Sequence, residues 1–175
     1  MTRVLIMATD GFEQSELLDP RQALHDAGIE TTLASIEEGE IKGWDDGDWG
    51  ESVSVDLTLE EVNAADYDGL LLPGGQMNPD VLRMEDTAIA LIRDFDAADK
   101  PIAAICHAPW LLAEADIVDG KTVTSWPSIR TDLTNAGAEV VDEEVAEDGN
   151  LITSRNPDDI PAFSKALIAA LDSDD

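Results

Sequence analysis

Short apolar runs alternate with helix-period segments from one end of this chain to the other, and that alternation restricts the folds open to it more than any other feature. Arg3–Ala8 (RVLIMA), Glu30–Ser35 (ETTLAS), Gly69–Leu72 (GLLL), Pro101–Ile105 (PIAAI), Thr122–Ser125 and Leu151–Ser154 read as strands. Between them, Glu13–Ala27 carries Leu17, Leu24 and Ala27 on one face, with an interruption or bend expected at Pro20 and a stop at Gly28. Glu85–Ala98 places Ala88, Leu91, Ile92 and Phe95 at helical spacing, Ala108–Ala115 is helical, and Asp158–Leu171 closes the chain with Ile160, Phe163, Leu167 and Leu171 inward. Nearly continuous apolar strands separated by helices predict a mostly parallel sheet covered on both faces, a doubly wound α/β sandwich. The 175 residues suit a single domain over 1–175, with no repeat or linker to divide it. Glu37–Glu51 (EEGEIKGWDDGDWGE) is the least core-like stretch, and its Asp and Gly spacing does not fit an EF-hand, so it reads as a solvated flap or hairpin.

Charge comes next. The chain carries 39 Asp and Glu against 10 Lys and Arg, a net −29 at pH 7, while 43% of its residues are hydrophobic. That apolar content supports a folded core rather than a disordered acidic chain. The scarcity of basic residues speaks against nucleic acid and against an anionic membrane surface as partners. Self-repulsion on this scale weakens at about 1 M salt, where the Debye length is roughly 3 Å, so the acidity reads as adaptation to a halophilic cytoplasm. There is no apolar run long enough for a membrane span, and one cysteine forms no intrachain disulfide, which makes the cytoplasm the expected location.

Open α/β sheets bind ligands beyond the carboxyl ends of their strands. Four segments deliver glycine or polar residues to that edge: Thr9-Asp10-Gly11-Phe12-Glu13, Pro73-Gly74-Gly75, Cys106-His107 and Ser125-Trp126-Pro127. A cysteine at a strand-to-helix turn meets unpaired backbone N–H groups that favour a thiolate, whereas a plain core cysteine is the alternative role for Cys106. His107 is the only candidate base beside it, and the N–H of His107 with one from Gly75 would stabilise an oxyanion. His25 lies away from the edge and reads as a surface or packing residue. Glu13 follows the first strand, where it is either one solvated acid among many or a proton partner for the thiol. Two histidines and one cysteine give no metal-ligand spacing, and no glycine-rich nucleotide motif is present, so neither metal nor cofactor is expected.

LLLPGG, AICHAP, DGFEQSELLDP, TSWPSIRTDLTNAGAEVVDEEV and DGNLITSRNPDDIPAF together resemble the PfpI family of intracellular peptidase-like proteins, also described as protein deglycases, within the class I glutamine amidotransferase-like superfamily. The resemblance runs from Arg3 to about Leu171. It implies a flavodoxin-like sandwich, assembly as a dimer or hexamer, Cys106 as nucleophile, His107 as its partner and Glu13 as the matching glutamate. In hexameric members an acid from a neighbouring subunit orients the histidine, and the nearest match here is Asp80. Asp80 stands where some members have glutamate, one residue further from Gly75, and Ala108 replaces a frequent glycine. Gly74, Gly75 and Trp126, at the same strand-end edge, are the candidate oxyanion and substrate-binding residues. Three functions follow: cysteine chemistry on reactive aldehydes or glycated adducts through Cys106 and Glu13, peptide hydrolysis through Cys106 and His107 with Asp80 in trans, or a non-enzymatic redox sensor or chaperone.

Overall fold

The computed structural model describes residues 1–173. In chain order its elements are β1 (Arg3–Met7), β2 (Phe12–Glu13), α1 (Gln14–Asp26), β3 (Glu30–Ser35), β4 (Glu40–Asp45), β5 (Asp48–Ser54), β6 (Leu57–Thr58), β7 (Gly69–Leu72) and α2 (Met77–Leu82). There follow α3 (Asp86–Ala97), β8 (Ile102–Ile105), α4 (Pro109–Glu114), β9 (Thr122–Val123), α5 (Arg130–Asn135), β10 (Glu139–Val140), β11 (Ala146–Asp148), β12 (Leu151–Ser154) and α6 (Ile160–Asp172). Seven strands form the central sheet in the order β11-β12-β8-β7-β1-β3-β6, with β11 alone antiparallel to its neighbour. This is the α/β sandwich that the alternating pattern predicts.

Successive strand residues face opposite sides of the sheet, which splits the core in two. Leu5, Met7, Leu70, Leu72, Ile102 and Ala104 pack with Ile92 and Phe95 of α3 and Leu111 of α4. Val4, Ile6, Leu71, Ala103 and Ile105 pack on the other face with Leu17 and Leu24 of α1 and Phe163 and Leu167 of α6. Both faces of the central strands are therefore dry, which is why β1, β7 and β8 are apolar at every position except the exposed Arg3 and the buried Gly69.

The structure departs from the sequence expectations at two places, and the acidic stretch forms the hairpin expected of it. Helix α1 runs through Pro20 without interruption and begins at Gln14, because Glu13 belongs to strand β2. The Thr122–Ser125 strand shrinks to β9, which pairs with β10 outside the central sheet. Beyond Val123 the chain is drawn away: the Thr124 N–H donates to the Thr153 hydroxyl and the Trp126 N–H to the carbonyl of Cys106. The acidic Glu37–Glu51 stretch forms the antiparallel hairpin β4–β5, and β4 also pairs with β2, so a separate three-stranded ribbon stands beside the functional edge.

Phe163 is fully buried where α6 meets the sheet. Phe163→Ala should lower unfolding stability by about 3–5 kcal/mol in denaturant titrations carried out in high salt.

Candidate active site

The carboxyl ends of β7, β8 and β12 and the first turn of α1 converge on Cys106. The residue has φ +67°, a left-handed conformation rarely adopted by a non-glycine side chain, which the surrounding hydrogen bonds impose. Its N–H donates to the Ser154 carbonyl (3.0 Å) and its carbonyl accepts from Trp126 N–H (2.9 Å), so strand β12 and the loop before α5 clamp the turn from two sides. The backbone N–H groups of Gly75 and His107 face the sulfur. Helix α4 starts at Pro109 and is only six residues long, so these specific donors matter more than a helix dipole.

Glu16 is the acid beside the thiol. It is fully buried one turn into α1, and its Oε1 accepts from Gly74 N–H at 3.1 Å. Its carboxyl also interacts directly with Cys106. The close approach requires glycine at 74: a Cβ there would lie 2.6 Å from both Cys106 Cβ and Glu16 Oε1 and 2.5 Å from the Ile105 carbonyl. Gly75 is equally constrained, with φ +84° and a Cβ position 2.5 Å from the Gly11 carbonyl.

The glutamate expected at this position was Glu13, and the structure corrects it. Glu13 sits in β2 opposite Trp44 of β4, its N–H donating to the Gly74 carbonyl (3.2 Å), and its half-buried carboxyl lies near Asp45. One helical turn further, Glu16 takes the inward face together with Pro20 and Leu24, all three buried. The signal was in the sequence: residues 16, 20 and 24 share one helix face, and an acid on that apolar face is unusual. It was hidden because the chain offers 39 acids.

Electrostatics couple the pair. Burial, followed by the charge on Glu13, pushes the Glu16 carboxyl up to about 8, against the stabilising Gly74 N–H. Burial, followed by the Glu16 charge, pushes the Cys106 thiol up as well, and the Gly75 and His107 N–H groups only partly offset this. Burial and the neighbouring acid thus oppose the ionisation that the N–H donors of the turn favour. Two like charges in one dry cleft oppose each other, so the pair sheds its protons in coupled steps.

His107 is 8% exposed, stacked on Trp126 (ring centroids 5.8 Å apart, planes at 23°) and tilted against Trp110 (5.1 Å). Burial pushes its imidazole pKa down. Among the described residues its buried Nδ1 has no hydrogen-bond partner. Asp80 does not supply one within the chain: it is exposed on α2 and takes part in no ion pair among the described residues. His25 bonds Thr31 Oγ1 (2.8 Å) at the opposite end of β3, away from Cys106.

A cysteine on a strained turn after a central parallel strand, backed by a buried carboxyl and glycine N–H donors, marks a flavodoxin-like enzyme of the amidotransferase-like class. The chain belongs to the DJ-1/PfpI family, which it matches over residues 2–170, and is a PfpI-type enzyme. It is 42% identical over 171 residues to general stress protein 18 of Bacillus subtilis, spanning 97% of this chain and 98% of that one. It is 39% identical over 170 residues to protein/nucleic acid deglycase 2 of Escherichia coli, spanning 97% of each. The crystal structure of Drosophila melanogaster DJ-1beta superposes with a TM-score of 0.87 at 32% identity, covering 97% of this chain and 90% of that one. The name of the Escherichia coli relative leaves the exclusion of nucleic acid, drawn from net charge, without support. No helix among the described residues is long and apolar enough to cross a membrane.

The raised Glu16 carboxyl has a thermodynamic consequence. An acid that is neutral in the folded state but ionised in the unfolded chain costs stability as pH climbs from 4.5 toward about 8, and the cost is constant above that. Glu16→Gln removes this term while keeping the shape. The variant should match the wild type near pH 4.5 and exceed it by a few kcal/mol near pH 9, as read by denaturant unfolding at both pH values.

Proposed function

We propose that the protein is a stress enzyme that converts reactive dicarbonyls and their early glycation adducts to hydroxy acids, with Cys106 as nucleophile and Glu16 as the acid and base. The observation that carries this reading is the buried Glu16 carboxyl beside the sulfur, a two-group device that moves one proton without help from a histidine. With the one proton of the pair on Glu16 and the charge on sulfur, the Cys106 thiolate adds to an aldehyde carbon while the carbonyl oxygen takes that proton, giving a hemithioacetal and a Glu16 carboxylate. The Glu16 carboxylate then removes the hydrogen on that carbon, and the resulting enediol collapses as the proton returns to the neighbouring carbon. A thioester beside a hydroxyl remains, and water cleaves it to the hydroxy acid and free thiol. In a glycated adduct the amine is the group released. The Gly75 and His107 N–H groups supply donors for negative charge on sulfur or the adjoining oxygen.

Peptide hydrolysis is the second reading, and the buried, unpartnered Nδ1 of His107 favours it. An acid from another copy would complete the site, with Asp80 as the candidate. Asp80 shares α2 and the following turn with the exposed apolar residues Met77, Val81 (44% exposed) and Met84 (78%), and Trp126 beside His107 is also exposed, so the face suits assembly as a dimer or hexamer. One experiment separates the readings: methylglyoxal and a fluorogenic peptide, each given to the wild type, Cys106→Ser, Glu16→Gln and Asp80→Ala. Cys106→Ser should abolish both activities. Glu16→Gln should lose aldehyde turnover by about 100-fold or more while Cys106 still reacts with iodoacetamide. Asp80→Ala should affect peptide cleavage alone. Peptide cleavage in the wild type without aldehyde turnover would reverse the order of the two readings.

The 39 acids against 10 basic residues support a cytoplasm of molar salt as the working medium. The thermal midpoint should rise steeply between about 0.1 M and several molar KCl, and a salt-independent midpoint would contradict this assignment.

A further inference from the structure

Glu16 is fully buried and Cys106 is 6% exposed, so neither has free exchange with bulk water. The aldehyde reaction nevertheless has a net proton to dispose of: a ketoaldehyde plus water gives a hydroxycarboxylate plus one proton per turnover. That proton is released inside the cleft, and it must leave before Glu16 and Cys106 return to their starting state.

Glu13 is a half-buried acid whose charge acts on both Glu16 and Cys106. Its N–H is bonded to the Gly74 carbonyl (3.2 Å), and a Cβ on Gly75 would lie 2.7 Å from the same nitrogen. Glu13 is thus packed on the two glycines whose N–H groups hold Glu16 and Cys106. It is three residues from Glu16, and pairing of β2 with β4 holds it opposite Trp44 with its carboxyl half in solvent. The titratable groups facing it are Asp45 from β4, Glu16 from α1 and Cys106 after β8, and among the described residues no Lys, Arg or His forms an ion pair with it. Surrounded by acids and partly buried, its carboxyl is pushed above the usual glutamate range, by burial first and Asp45 second. A half-exposed carboxyl beside a buried one is placed to take a proton from it and hand that proton to water.

We propose that Glu13 relays protons between the buried Glu16 and bulk water, acting through Glu16 and not on the substrate. The Glu16 carboxylic acid passes its proton to the Glu13 carboxylate, directly or through one water, and Glu13 releases it to solvent. No oxidant or other co-reactant is involved. The proposal rests on the aldehyde reading given above.

The test is methylglyoxal turnover by the wild type, Glu13→Gln and Glu13→Asp at constant ionic strength, with imidazole raised from millimolar to tenths-molar concentration. In dilute buffer Glu13→Gln should lose about tenfold in kcat at unchanged KM, and added imidazole should restore most of it. Glu13→Asp should keep most of the wild-type rate, and the wild type should ignore the buffer. An undiminished kcat in Glu13→Gln, a loss that no buffer relieves, or a Glu13→Asp variant as slow as Glu13→Gln overturns the relay and leaves the aldehyde reading standing. A wild type without aldehyde turnover overturns both.

Discussion

The contact between the buried Glu16 carboxyl and the Cys106 thiol is the constraint around which the functional edge is arranged. Two acidic groups in one dry cleft cannot both be charged at low cost, and burial with mutual repulsion raises each of them. The structure limits that cost with backbone donors rather than cations: Gly74 N–H on Glu16, and Gly75 and His107 N–H on the sulfur. This choice explains the glycine pair. Backbone can approach both side chains only where no Cβ intervenes, and at Gly74 a Cβ would strike the thiol-bearing carbon and the carboxyl oxygen together.

The positive φ of Cys106 belongs to the same design. Strand β8 is buried on both faces, so a residue continuing its line would point into the core. The left-handed turn lifts the side chain off that line, and bonds to Ser154 and from Trp126 hold the strained backbone in place. Stability is thereby spent at the site, both in backbone strain and in a carboxyl kept neutral, and it is recovered in the two apolar layers packed on the sheet. His107 follows a different logic. Its ring is held by Trp110 and Trp126 rather than by a carboxylate, and among the described residues no acid bonds its buried Nδ1.

Much of the architecture was legible from the order of residues because period determines face. The runs in β1, β7 and β8 are apolar on both sides of the pleat, a pattern that only a covered parallel sheet accommodates. The amphipathic spacing of α3 and α6 likewise follows from 3.6 residues per turn. Strand-end chemistry was legible too, since Cys106, His107, Gly74 and Gly75 follow apolar runs and such runs end at one edge of the sheet.

What the order of residues left open was which of two acids three positions apart meets the thiol. Spacing puts Glu16 on an apolar helix face but does not by itself choose it over Glu13 at the strand end, because the first helical residue decides which carboxylate turns inward. That boundary is set by a tertiary interaction: β4 pairs with Phe12 and Glu13, keeping Glu13 extended and starting α1 at Gln14. The same holds for the strand-like residues Thr124 and Ser125, where the chain is diverted by the Thr124 N–H bond to Thr153 and the Trp126 N–H bond to Cys106. Hydrophobic period and chain order thus determined the layers of this protein and the edge at which its chemistry lies. The partners of individual polar groups were decided by contacts between distant segments, since a hydrogen bond depends on ångström-scale placement that no local pattern encodes.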